Sequence, residues 1–366
     1  MSLDGVDTPS ALVDQVRLER NLQEFAQLAD QHGKRLRPHV KTHKTSEIAR
    51  RQRELGAAGL TVAKLGEAEA YADAGFDDLF VCYPLVGALK LARLAALARR
   101  VTVSTVVDSA DAARALSAAM LAAGTRLDVL VKLDVGMHRV GVIDDEADRL
   151  ALAVAELGGL RLRGVCIHEG SVYGQGDPAA RRSVGREQVR QLVQTAARLR
   201  DGGLPVDVVS CGATPSFRDV IDIDGVTEVR PGNYVFFDAM QVALGTVGRQ
   251  RCALSVLATV VSRAAAGRGI IDAGAKVLSL DRGAHGLALL EGYGQVLGRP
   301  DVLLQSLSEE HGWLALAGEL PLAVGERLRI VPNHACAVVS NFDRLTVVRD
   351  DEPVAEWSVM ARGRFT

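Results

Sequence analysis

Short apolar runs alternate with helical periodicity from about residue 17 to residue 238. Leu18, Leu22, Phe25 and Leu28 recur at helical spacing and predict a first helix. Eight strand-like runs follow, centred on residues 36–41, 60–63, 79–82, 101–107, 127–133, 162–168, 206–211 and 226–230. Stretches of helical character, such as 66–74, 109–123 and 144–157, separate most of them. The runs lack clean polar alternation, as expected of strands buried on both faces. Strand–helix alternation implies parallel strands. Eight such units predict an α/β fold of the (β/α)8 TIM-barrel type, with a doubly wound sheet as the other architecture the pattern allows. In a barrel the active site lies at the C-terminal ends of the strands. Lys41, Lys64, Asp134, His168, Cys211-Gly212 and Arg230-Pro231-Gly232-Asn233 fall at those ends.

The texture changes after about residue 245. Runs at 256–262, 269–272, 303–306, 313–317, 327–331 and 345–348 read as strands divided by Gly, Pro and Asp clusters, without long helices. The expected organisation is a barrel over residues 17–245 and a mostly-β C-terminal domain over 246–366, with residues 1–16 pairing into the latter.

Composition narrows the function. The 366 residues carry a formal net charge of −2, so no global field draws the chain to nucleic acid or membrane. Aromatic residues make up 4%, too few for a single-strand stacking platform. No apolar run is long enough to span a bilayer, and the N-terminus lacks the features of a signal peptide. The five cysteines are odd in number, widely spaced and form no CxxC pair, which predicts a reduced cytoplasmic protein.

The candidate chemistry begins at Arg37-Pro38-His39-Val40-Lys41-Thr42-His43-Lys44. A lysine ending the first strand of an α/β domain is placed to form a Schiff base with a carbonyl cofactor, and cationic neighbours favour its neutral, nucleophilic form. By itself the octapeptide also reads as a basic, solvated strand end or a phosphate or RNA patch. Asp134-Val135-Gly136-Met137-His138-Arg139-Val140-Gly141 forms a glycine-containing loop that would aim Arg139 at the barrel mouth, to meet an anionic oxygen. Segments 210–216 and 230–234 end the last two strands, a recurrent phosphate site in barrels, and offer backbone N–H groups with hydroxyl and amide donors. His168 could stack on a cofactor ring and Tyr173 could donate to phosphate; both are equally readable as structural. In Pro332-Asn333-His334-Ala335-Cys336, a strand would turn His334 and Cys336 to the same side. An imidazole–thiolate pair suits zinc better than magnesium, though two ligands make a partial site.

Together these segments resemble the fold-type III pyridoxal-phosphate enzymes, the alanine-racemase-like group, and within it the D-threonine aldolase and D-serine dehydratase family. The resemblance rests on Thr8-Pro9-Ser10, the Lys41 octapeptide, residues 61–69, the loop 134–141, Arg230-Pro231-Gly232-Asn233-Tyr234 and Pro332-Asn333-His334-Ala335-Cys336, and it spans nearly the whole chain. It implies pyridoxal 5'-phosphate held by Lys41, with Arg139 at the ring hydroxyl and phosphate contacts from Gly212, Thr214, Gly232 and Asn233. His168 and Tyr173 complete the candidate cofactor contacts, and Arg230 or Tyr234 would approach the ring nitrogen. His334 and Cys336 match the family's ligands for a divalent metal, zinc or manganese. A homodimer is implied as well.

The implied activity is that of a lyase on β-hydroxy-D-amino acids. The reading placed first is D-threonine aldolase-type cleavage to glycine and an aldehyde, with His334 or a metal-bound water as base. Residues 61–69 and Tyr83-Pro84-Leu85-Val86-Gly87 favour it. The alternative is D-serine dehydratase chemistry giving pyruvate and ammonia, with Lys41 as base, and the His-x-Cys pair favours that. A racemase, a non-catalytic pyridoxal-phosphate carrier and a phosphate- or RNA-binding module stand behind both.

Overall fold

The computed structural model of the chain describes residues 3–265, 267–283, 287–316 and 322–366. It divides into two compact units. One comprises Phe25–Lys41, Ile48–Gly232 and Gly363–Thr366; the other comprises Met1–Glu24, Thr42–Glu47 and Asn233–Arg362.

The first unit holds an eight-stranded parallel sheet. Its strands are Arg35–Leu36, Leu60–Val62, Asp78–Val81, Thr102–Val107, Leu127–Lys132, Leu160–Cys166, Val208–Cys211 and Glu228–Val229. From the second strand on, each pairs with the next in chain order, and the last pairs with the first. The remaining seam, between the first two strands, is closed by a parallel bridge from His39 to Thr61 and by Thr61 N–H donating to Pro38 O at 2.9 Å. The sheet is therefore a closed barrel, as the strand–helix alternation predicts. The first strand is shorter than expected. It ends at Leu36, and Lys41 sits in a 3-10 turn, Val40–Thr42.

Phe80, Val106, Leu130, Cys166 and Val208 form a buried apolar cluster contributed by five successive strands. Two residues further along a strand, side chains project from the same face. Lys132 and Ser210 therefore follow the cluster toward the C-terminal rim, and Cys82 packs against it just past its strand. On the outside, helices such as Leu65–Asp73, Ala110–Ala122, Asp144–Ala155 and Pro178–Asp201 cover the strands. Among the described residues, no helix is long and apolar enough to cross a membrane.

The second unit is built on a nine-stranded, mostly antiparallel sheet. Its order is Arg268–Ile271, Gly312–Leu316, Val302–Leu307, Gly294–Val296, Arg327–Pro332, Leu254–Ala265, Ser10–Asp14, Arg344–Arg349 and Glu352–Ser358. The strand expected at 313–317 is Gly312–Leu316, and Ala317 lies outside the described residues. Ser10–Asp14 enters this sheet beside Leu254–Ala265 and, in parallel, beside Arg344–Arg349. In the first helix, Gln15–Gln31, the buried stripe is Leu18, Leu22, Phe25 and Ala29. Leu28 is only partly buried, because Ala29 completes the 3.6-residue period.

The segment 332–336 corrects the sequence reading. The strand stops at Pro332, His334 is the extended residue before a short helix, and Cys336 belongs to that helix, Ala335–Val339. Asn333 causes the turn. Its side-chain amide donates to the carbonyls of Asp281 and Gly292, both at 2.9 Å, and so leaves the sheet.

Candidate active site

Parallel strands end on one rim of the barrel, so the loops after them collect there. Lys41 is half-buried in the turn after the first strand. Three expected site residues converge on a fourth that the motifs did not single out, His39. Burial lowers the pKa of His39 well below the usual histidine value, and the charges of Lys41, Arg230 and His168 lower it further. His39 is therefore neutral, and its Nδ1 accepts weakly from the backbone N–H of Lys41 at 3.5 Å.

Arg230 is buried at the end of the last strand. Its guanidinium donates to Ser210 Oγ and to the carbonyl of Ile167 at 2.6 Å. Burial would discharge it, yet the thiols of Cys82 and Cys166 and the Glu228 carboxylate hold its pKa above the ordinary value. The same cations act on the thiols. A hydrogen bond from Cys166 brings Cys82 well below the usual thiol range against the effect of burial, aided by Arg230, Lys132 and Lys41, whereas burial pushes Cys166 up. Lys132 is 5% exposed. An ionisable residue inside an otherwise apolar strand is the sequence signal that would have found it.

The loop after the seventh strand is shaped by Glu169. This fully buried carboxylate accepts from the Gly212 N–H at 2.9 Å and from Ser216 Oγ at 3.1 Å. The Gly212 carbonyl is bonded to His168 Nδ1 at 2.8 Å. A Cβ on Gly212 would lie 2.6 Å from Arg230 N, so only glycine fits there. Thr214 is buried and its hydroxyl has no hydrogen-bond partner among the described residues. A buried orphan hydroxyl in a loop of this kind is complementary to a phosphate oxygen. Tyr173 is buried in the 3-10 turn Gly170–Gly174, and Gly232 is half-buried just beyond Arg230. The unit thus brings together Lys41, His168, Gly212, Thr214 and Arg230, a set that fits an aldehyde cofactor bearing a phosphate.

Arg139 is exposed. Asp134 Oδ1 accepts from the N–H groups of Gly136, Met137 and His138 at 2.9, 3.0 and 3.1 Å, which curls the loop on itself and leaves Arg139 at its exposed tip.

In the other unit, His334 and Cys336 are close enough to hydrogen-bond through their side chains. Asp281 Oδ2 bonds His334 Nδ1 at 2.8 Å. Burial opposes charge on His334, but Cys336, Asp281 and Asp238 together raise its pKa well above the usual value. The Cys336 thiol shares a 3.2 Å hydrogen bond with the hydroxyl of Thr42, the residue after Lys41. Among the described residues no cluster of three or more His, Cys, Asp or Glu is placed to hold a metal ion. The pair fits a two-ligand site with soft sulfur and imidazole donors, open to solvent or substrate ligands. Asn233 and Tyr234 open the buried 3-10 turn Asn233–Val235, with the Asn233 amide committed to Asp238 Oδ2 at 2.6 Å.

Residues 13–240 match the family described as alanine racemase, N-terminal domain, and residues 253–348 match the putative serine dehydratase domain. The chain is 40% identical to D-threo-3-hydroxyaspartate dehydratase of Delftia sp. (strain HT23), over 96% of this chain and 97% of that protein. It is 36% identical to D-threonine aldolase of Arthrobacter sp., over 99% of this chain and 94% of that one. A solved cysteine-to-alanine variant of D-threo-3-hydroxyaspartate dehydratase, in the metal-free form, superposes with a TM-score of 0.90 at 39% identity, covering 98% of each chain.

Proposed function

This chain belongs to the alanine-racemase-like family of D-threonine aldolases and D-serine dehydratases, and we propose that it is a pyridoxal-phosphate- and divalent-metal-dependent lyase that eliminates water from β-hydroxy-D-amino acids. The observation that carries this reading is the Thr42–Cys336 hydrogen bond, 3.2 Å long. Thr42, the residue that follows Lys41 in the chain, is thereby bonded to one of the two residues suited to hold a cation. The metal-free form of the cysteine-to-alanine variant in a 39% identical dehydratase supports the same assignment.

When bound, pyridoxal phosphate would supply an electron sink for the pair left at Cα, and zinc or manganese would supply a Lewis acid for the β-hydroxyl. The remaining work falls on side chains. Lys41 Nζ, half-buried after the first strand, would take the Cα proton. The Gly212 loop, braced by Glu169, holds the phosphate with Thr214. Neutral His39 adds no charge to a mouth already carrying Arg230 and Lys132. His334 would act as a ligand, its ring oriented by the Asp281 contact at Nδ1. Loss of the β-hydroxyl needs a base at Cα, whereas cleavage of Cα–Cβ needs a base on the β-hydroxyl proton.

The second reading, retro-aldol cleavage, is favoured by the 36% identity to D-threonine aldolase over 99% of the chain. Product analysis separates the two. Full-length protein with pyridoxal phosphate and Zn²⁺ or Mn²⁺ is expected to give pyruvate and ammonia from D-serine, and 2-oxo acids and ammonia from D-threonine and D-threo-3-hydroxyaspartate. Glycine with an aldehyde would establish the aldolase instead. The same reading includes a cofactor barrel over residues 17–245, a metal-bearing β domain over 246–366 with 1–16, a homodimer and a reducing cytoplasm. The five cysteines, none of them in a disulfide among the described residues, support the last of these.

A further inference from the structure

Asp238 is a carboxylate 1% exposed, and its two oxygens do different work. Oδ1 caps the short helix Ala239–Ala243 by accepting from the Gln241 N–H at 3.1 Å. One oxygen is enough for a cap. The other, Oδ2, accepts from Asn233 Nδ2 at 2.6 Å and from the Ala335 N–H at 3.0 Å. Those two donors lie about a hundred residues apart in sequence, and each sits at a functional segment. Asn233 opens the turn that follows Arg230-Pro231-Gly232. Ala335 is the residue between His334 and Cys336.

The Ala335 contact sets the elbow that pairs the two candidate ligands. An N–H in the first turn of a helix has no intrahelical partner. By binding it, Asp238 orients the peptide linking His334 to Ala335. The extended His334, with φ −138° and ψ 105°, and the helical Cys336 then present their side chains together. A second link runs alongside, from the Met240 N–H to the Asn333 carbonyl at 3.3 Å.

We propose that Asp238 is a positioning residue that holds the Asn233 turn and the His334–Cys336 pair in one fixed arrangement, so that cofactor affinity and metal affinity are coupled through it. This rests on the reading that His334 and Cys336 hold a cation and that the Asn233 turn serves the cofactor. Coupling of two binding equilibria is reciprocal, so disturbing either arm of the carboxylate must be felt at the other.

The test uses full-length protein and two affinities. Zinc affinity is measured by competition with a chromophoric chelator in protein loaded with pyridoxal phosphate. Cofactor affinity is measured by absorbance titration in zinc-loaded protein. Asp238→Asn replaces one accepting oxygen with a donor amide, and is expected to weaken zinc by about tenfold or more, the range typical of groups that orient metal ligands, and to weaken the cofactor as well. Asn233→Ala touches neither His334 nor Cys336, yet is expected to lower zinc affinity too. Folded Asp238→Asn protein with both affinities within about twofold of wild type would overturn the proposal, as would Asn233→Ala protein that loses cofactor affinity alone. Should Asp238→Asn fail to fold, Asn233→Ala decides the matter. Wild-type protein that binds no zinc, or binds it as well after His334→Ala, would instead sink the metal reading itself, and the proposal with it.

Discussion

His334 Nδ1 and Asp281 Oδ2 stand 2.8 Å apart. The contact fixes the imidazole ring and pulls the Asp281 carboxyl below its ordinary pKa. A carboxylate behind a ligating histidine sets its tautomer and raises its basicity. Asp281→Ala is therefore expected to lower zinc affinity about 10–100-fold while the absorption of bound cofactor stays in place. Metal analysis after dialysis against a chelator checks this, and full metal retention would refute it.

Lys41→Ala removes both the attachment point and the proposed base. Turnover should fall by about 10²–10⁴-fold, the contribution usual for a positioned base. Borohydride should fix the cofactor covalently to wild-type protein but not to the variant. A variant mass increase after reduction would place the attachment elsewhere.

Gly212→Ala forces a Cβ to within 2.6 Å of Arg230 N. Overpacking of this kind costs about 1–3 kcal/mol. The variant should melt lower than wild type and gain less stability from added pyridoxal phosphate, because binding to the folded state stabilises only in proportion to affinity. Glu169→Gln should show the same smaller gain without the steric cost. An unchanged cofactor-induced shift in both variants would dissociate this loop from phosphate binding.

Arg37 ties the first strand of the barrel to two others. Its guanidinium bonds Glu228 at 2.8 Å and Asp78 at 2.6 Å, with Glu228 on the last strand and Arg37 just beyond the first. Burial would lower the Arg37 pKa, but the two carboxylates hold it above the ordinary value. Removing one partner of a buried pair strands the other charge. Arg37→Met should destabilise the protein by about 3–5 kcal/mol, measured by denaturant unfolding. A loss below 1 kcal/mol would mean the pair is dispensable.

His39 makes stability depend on pH in a defined direction. Its folded pKa lies well below the usual value, for burial and the neighbouring cations disfavour its charge. Below the ordinary histidine pKa, about 6.5, the unfolded chain binds a proton the folded one refuses, so stability falls as pH falls. Above that pKa both states are neutral and the effect vanishes. Wild type should lose more stability between pH 7 and pH 5 than His39→Gln does. Equal losses would show that His39 is not held neutral.

The barrel was legible because its signal is local. The apolar runs at 60–63, 79–82 and 127–133 predict the strands Leu60–Val62, Asp78–Val81 and Leu127–Lys132, and strand–helix alternation determines that they are parallel. The Lys41 segment, the late glycine loops and the His-x-Cys pair were also visible as unusual residue types at strand ends. The geometry of the pair was not. Strand alternation predicted the proximity of His334 and Cys336 for a reason that the elbow at Asn333 replaces. Nor was the curl that three backbone bonds to Asp134 give the loop carrying the exposed Arg139.

The chain by itself therefore determined the barrel, the β domain and the reactive residue types, since periodicity and residue chemistry are properties of neighbours in sequence. Only the tertiary structure decided how those residues are braced. Glu169 meets Gly212 across 43 positions, Asp281 meets His334 across 53, and Asp238 meets Ala335 across 97. A buried carboxylate must find donors wherever the fold brings them, and no spacing along the chain records which donors those are.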